Sequence, residues 1–494
     1  MDKLALEPND PNGYTNQMIQ KWRVLAAVAC GTFMATLDSS IVNIALPTLT
    51  KTLSSDLLRM KWVILVYLFV LTCLLLPLGR LSDHFGRKVV YQSGFFIFIF
   101  GSGLCGTSPS LTWLVVCRGL QAVGASMLMA NGPAIITSEF SPRERGSALG
   151  ILAMVVSVGL VSGPSIGGFL ISQLGWRSIF LINIPIGIFG IVLVQYFVRK
   201  DERTSKKLFF DWTGAIVQTC LLLAFMVSFD PPHISFSGST PIQIPRLIMV
   251  GLVFLLTLIL VRVENEAEMP LLDLSLLRNQ TFWSANLAGF FTFVAFSSVQ
   301  VLMPFFLEEV LHFPPNKAGM FMTAIPLTIF VIAPLSGRLS DRVGSQGLSF
   351  AGTLIGVIGL FSMAGAFGMG IHRNTEYYLI ILGLISIGLA TGLFQSPNNS
   401  AIMGCVPVQK LGVASALLAT IRNLGLVAGT GLSTSLFTWK LKDSGDFVAA
   451  FHTTLLTAGF VAMGATMASL AKRNTPQAVI NFNDLETQGK GINS

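Results

Sequence analysis

Few residues in this chain could do chemistry in an apolar medium, and two stand out. Asp38, in Leu37-Asp38-Ser39-Ser40-Ile41-Val42-Asn43, and Arg118, in Arg118-Gly119-Leu120-Gln121-Ala122, each sit inside a long apolar run. An ionisable side chain in such a run is costly to bury, so it is paired, used, or both. Counting along helices at about 1.5 Å per residue, Asp38 lies roughly 22 Å up its run and Arg118 roughly 10 Å below the top of its own. In an apolar layer about 30 Å thick the two reach the same height. A carboxylate in low dielectric generally favours its neutral form, while a neighbouring arginine favours the charged one. A pair of this kind whose access to water changes can therefore take up and release a proton. A permanent structural ion pair is the other reading.

Other chemistries find no support. The histidines His84, His233, His312, His372 and His452 occur singly, mostly where loops are expected, without a nucleophile and base set. The six cysteines are scattered, with no CxxC pair and no histidine at ligand spacing, so no metal or redox centre is expected. No Gly-x-x-x-x-Gly-Lys-[Ser/Thr] loop is present to hold a nucleotide.

The elements that must position Asp38 and Arg118 follow from composition. The chain is 52% hydrophobic and 11% charged, with a mean hydropathy of +0.69, a balance that calls for lipid as solvent. Runs of about twenty apolar residues, the length that crosses a hydrocarbon core, fall at 23–46, 60–79, 89–107, 111–136, 147–173 and 178–198. Two more lie at 212–229 and 246–262, and six at 283–307, 316–337, 348–369, 377–402, 411–437 and 451–471. The net charge of +8 comes from basic residues concentrated in alternate loops on the side of the N-terminus. Away from the run ends, only Arg118 and Arg422 remain inside runs. This pattern places both termini in the cytoplasm and argues against a nucleic-acid partner. The polar start of the chain has no short apolar core or cleavage site, so no removable leader is expected. Arg199 to Asp211, rich in lysine and arginine, reads as a solvated linker.

The two sets of six repeat each other. Gly79-Arg80-Leu81-Ser82-Asp83 recurs as Gly337-Arg338-Leu339-Ser340-Asp341, and Gly146, Gly159 and Gly163 recur at constant offset as Gly412, Gly425 and Gly429. A duplicated six-helix unit predicts two bundles about an axis along the membrane normal. The expected fold is an all-α membrane protein of fourteen helices. Its divisions are a tail at 1–22, a first bundle at 23–198, a linker with two added helices at 199–282, a second bundle at 283–471 and a tail at 472–494.

The stretch from Gly79 to Lys88, with Gly79, Asp83, Gly86 and Arg87 at fixed spacing, resembles the signature loop of the major facilitator superfamily. Asp341-Arg342-Val343-Gly344 ends a reduced copy. The resemblance implies a latch at the inner face made by these residues. Gly159-Leu160-Val161-Ser162-Gly163-Pro164-Ser165-Ile166-Gly167-Gly168 resembles the antiporter motif of proton-coupled exporters, although glycines at this spacing also suit a plain packing seam. The stretches Trp176–Gly187, Pro270–Leu274 and Gly392–Ser400 resemble the fourteen-spanner drug:proton antiporter branch.

That resemblance implies a carrier of small molecules in a bacterial inner membrane, most simply a monomer, driven by a proton gradient and needing no cofactor. Lipophilic, cationic or amphiphilic compounds are its expected cargo, with a dedicated exporter of one metabolite, lipid or antibiotic as the alternative. Asp38, Asn43, Gln121 and Gln395 are candidate cavity residues. A membrane enzyme or a non-transporting receptor fits less well. The branch usually has glutamine where this chain has Glu308, followed by Glu309. At roughly 39 Å along its helix, Glu308 is expected near the outer mouth, as a solvated rim charge or an outer gate. Arg422 is expected to bond neighbouring helix carbonyls.

Overall fold

Each of the fourteen apolar runs is helical in the computed structural model. It describes residues 11–140, 144–199, 212–228, 233–234, 242–243, 246–266, 276, 278–368, 373–406 and 411–471. The first bundle comprises α1 (Pro11–Thr52), α2 (Leu57–Met60), α3 (Trp62–Phe85), α4 (Arg87–Gly106), α5 (Leu111–Glu139), α6 (Arg145–Leu174), α7 (Ser178–Leu181) and α8 (Asn183–Phe197). An added hairpin follows, α9 (Trp212–Ser228) and α10 (Arg246–Glu266), with a two-residue antiparallel strand pair between them. The second bundle is α11 (Gln280–Phe305), α12 (Pro315–Met322), α13 (Ala324–Val343), α14 (Ser345–Gly368), α15 (Arg373–Gly404), α16 (Leu411–Ser444) and α17 (Phe447–Leu470).

Among the described residues, twelve helices are long and apolar enough to cross a membrane. The two predicted spans outside that set are α9, with 17 residues, and α16, with 34 residues. In α16 the pair Arg422-Asn423 and many small polar residues lower the hydropathy. Side-chain caps fix several starts where a backbone N–H has no helical partner. Ser110 accepts from the Trp113 N–H, Asn279 from Thr281 and Asp446 from Val448.

The duplication is visible in the packing. α1 lies on α6 as α11 lies on α16, and α4 on α5 as α14 on α15. The face where α1 begins and α17 ends is here the terminal face, and the opposite one the far face. Contacts between bundles gather toward the far face. There α6 meets α12 and α13, α3 meets α16, and one apolar core runs from Ile41, Leu46 and Val63 of the first bundle to Leu302, Phe306 and Phe451 of the second. Toward the terminal face the core divides. One cluster belongs to the first bundle, with Ala419 its one contact from the second among the described residues, and another belongs wholly to the second. The α9–α10 hairpin packs beside the α3–α16 contact through Met226, while Ile248, Val250 and Phe254 of α10 face outward.

Candidate functional site

Asp38 and Arg118 meet in the interior of the first bundle, where α1, α4, α5 and the start of α8 converge. The Arg118 Nη1 donates to Asp38 Oδ2 at 2.6 Å and to Gln121 Oε1 at 2.7 Å. The second carboxylate oxygen accepts from Gln121 Nε2 and from Asn183 Nδ2, both at 2.9 Å. Both amides also donate to the Ser102 hydroxyl, at 2.8 Å and 3.0 Å, and Ser102 in turn donates to the Phe180 carbonyl at 3.0 Å. Arg118 Nε reaches the Val63 carbonyl at 3.3 Å, and its guanidinium lies over the Tyr67 ring at 4.1 Å. Asp38 is wholly buried and Arg118 nearly so. A buried ion pair is tolerable only when its remaining donors and acceptors are satisfied. Here Gln121, Asn183 and the Val63 carbonyl do that, with Ser102 holding the two amides in place.

Of the sequence candidates, Asp38, Arg118 and Gln121 are therefore brought together. Asn43, buried on α1, makes none of these bonds, and Gln395 lies in the second bundle. Asn183 and Ser102 were missed. Asn183 stands within a stretch matched to the family as a whole, where its amide was legible as a polar group in an apolar span. Ser102 carries no signal that separates it from other buried serines.

The Gly159–Gly168 stretch works as a two-sided seam. A Cβ at Gly163 would collide with Ser40, and one at Gly167 would come within 2.6 Å of Ile41 and 2.7 Å of Ile44. These glycines let α6 press on α1, and Ser40 Oγ donates to the Gly159 carbonyl at 3.2 Å. On the other side, a Cβ at Gly168 would lie 2.5 Å from the Pro315 carbonyl, and one at Gly319 would strike the Pro164 carbonyl. There α6 meets α12 of the other bundle, and the hydroxyls of Ser165 and Thr323 are 2.6 Å apart.

The expected Gly79–Lys88 loop is mostly helix. α3 continues through Phe85, so Gly79 is a helical residue facing α5, and the chain turns at Gly86 alone, with φ of 92°. Membrane spans run on into the interface when nothing breaks their hydrogen-bond ladder, so motif glycines need not mark a loop. Gly344 makes the matching turn, also with φ of 92°. Arg87 opens α4 and donates to the Ala134 carbonyl of α5 at 3.0 Å. Arg342 is exposed. The side chains of Asp83 and Asp341 lie outside the described residues.

Glu308 departs from the rim-charge expectation. The last turn of α11 widens into a π turn, Phe306–Val310, that holds Glu308 only 8% exposed with Oε1 lacking a hydrogen-bond partner. Phe306 stacks on Phe451 at 4.9 Å beside it. Its helical height suggested a mouth, but the far face is closed over it. Glu309 is the exposed member of the pair.

Arg422 also departs from expectation. Among the described residues it makes no bond to a neighbouring carbonyl, and it lines a narrow cleft with Asn286, Gln395, Asn398 and Asn399.

A family profile decides the class of the molecule. The profile described as Major Facilitator Superfamily matches residues 28–430. The chain belongs to the major facilitator superfamily. Among its relatives, the riboflavin transporter RibZ of Clostridioides difficile is 38% identical over 87% of this chain and 91% of its own. The multidrug resistance protein Stp of Mycobacterium tuberculosis is 29% identical over 82% of this chain and 74% of its own. A solved bacterial homologue of the human lysosomal transporter Spinster, inward-facing and occupied, gives a TM-score of 0.66 at 16% identity, covering 92% of this chain and 97% of that one. That likeness establishes the shared fold. This major facilitator protein is a multi-pass membrane transporter of small molecules, not an enzyme.

Proposed function

We propose that this transporter exports amphiphilic organic compounds in exchange for protons, by alternating access between its two bundles. The observation that carries the reading is the Asp38 carboxylate. It is wholly buried and bonded to Arg118 and Gln121 of α5 and to Asn183 of α8. Loading or unloading one proton there changes bonds that tie three helices together, which is how a proton gradient can bias two arrangements of one bundle. Gly79, Asp83, Gly86 and Arg87, with Asp341 and Arg342, are assigned the latch, and Glu308 a place in the closed far face. With the basic residues on the cytoplasmic side, both termini lie on the cytoplasmic side of a bacterial inner membrane, the protein faces inward, and the far face is the outer one. The names of the multidrug relatives support organic cargo.

The test is flux in proteoliposomes under an imposed pH gradient, with ethidium and riboflavin as probes. Gradient-driven movement of ethidium that stops when the gradient is collapsed supports exchange with protons. Movement indifferent to the gradient overturns it. The 38% identity to a riboflavin transporter favours a second reading, a dedicated carrier of a flavin-like metabolite. Transport of riboflavin with none of ethidium would select it.

A further inference from the structure

Arg422 is the cation that the proton-coupling site does not use. It lies eleven residues into α16, and among the described residues no carboxylate pairs with it. An unpaired guanidinium within a span is expensive unless an anion or water compensates it, and in Arg118 the same fold shows the compensated alternative. The walls of the cleft add a second, independent demand. Asn286 is 4% exposed and donates through Nδ2 to the Phe282 carbonyl at 2.8 Å, which leaves its Oδ1 without a partner. Asn398 donates to the Ala285 carbonyl at 3.0 Å, which holds α15 against α11. Phe293 and Phe394 supply apolar walls.

We propose that this cleft is a substrate site for organic anions. Arg422 receives the anionic group, Asn286 Oδ1 accepts from an N–H or O–H of the same molecule, and the phenylalanines cover its aromatic or aliphatic part. A guanidinium suits carboxylate or phosphate geometry, since it offers several N–H donors in a fixed plane. The cargo preference then runs opposite to the cationic one expected from Asp38, whose oxygens are already taken by protein donors. The assignment rests on the transport reading and gives it a substrate class.

The test compares two xanthene dyes of opposite charge, fluorescein and rhodamine 123, by fluorescence polarisation on the purified full chain without any gradient. The parent should bind the anion at least tenfold more tightly than the cation. Arg422→Ala should lower fluorescein affinity tenfold or more and leave rhodamine 123 unchanged or tighter, with Arg422→Lys recovering part of the loss. Asn286→Leu should weaken fluorescein binding while leaving Arg422 in place. A thermal melt of each variant shows that it is folded. A preference for the cation, equal losses for both dyes in Arg422→Ala, or binding of neither dye by the parent overturns the proposal. Failure of proton exchange shows instead as flux indifferent to the gradient, with these affinities unchanged.

Discussion

At the scale of single residues, Asp38 has two roles that one substitution confounds, because it is a titratable group and also the counter-charge of Arg118. Asp38→Asn leaves a buried arginine uncompensated and turns an amide N–H₂ toward donors. Removing one partner of a buried pair costs about 3–5 kcal/mol, so this variant should melt well below the parent and lose gradient-driven flux. The double change Asp38→Asn with Arg118→Gln removes both charges. It should regain much of the thermal stability yet none of the proton-driven transport. Recovery of flux in the double variant would show that no carboxylate is needed there. The pairing of Asp38 with Arg118 was legible because helical rise alone sets their heights. Asn183 and Ser102 were not, since a neutral polar residue in a span gives no clue to which neighbour it turns. The rim-charge reading of Glu308 and the carbonyl-bonding reading of Arg422 failed for a related reason. Position along a helix gives depth, whereas burial and partners depend on what packs across, and the sequence does not show that the far face closes over one and leaves a cleft at the other.

At the scale of elements, the apolar runs marked where helices form, twelve of them among the described residues long and apolar enough to cross a membrane, and helix ends were less legible because α3 continues through a motif rich in turn formers. The Gly159–Gly168 seam allows a sharper test, since its two sides hold different partners. Gly163→Val would drive a side chain into Ser40 of the same bundle. Overpacking of this kind costs about 1–3 kcal/mol, and the variant should show a lower melting temperature and yield. Gly168→Val meets the Pro315 carbonyl and Asn316 of the other bundle, where the bundles can part instead of straining. It should melt close to the parent but increase the reaction of a cysteine placed at Ser165 with a membrane-impermeant maleimide, in a background without the native cysteines. Unchanged labelling would mean that Gly168 does not hold the far face shut.

At the scale of the whole molecule, the division of the apolar core decides what must move. One continuous core joins the bundles toward the far face, and separate cores serve them toward the terminal face. A rocking motion must therefore break the far-face core and close the other side, and packed cores switch between discrete arrangements instead of deforming smoothly. The Ser165 and Thr323 hydroxyls, 2.6 Å apart across the bundle boundary, mark a point that the proposed rocking has to separate. With cysteines at both positions and the native cysteines replaced, oxidation should join α6 to the start of α13 and hold the far face closed. Flux should fall by about tenfold or more and return on reduction. Dye binding from the terminal-face side should persist, because the cleft at Arg422 lies within one bundle and does not depend on the far face opening. Transport that continues at the parental rate after complete cross-linking, verified by loss of free thiol, would rule out separation at this seam as a step in the cycle.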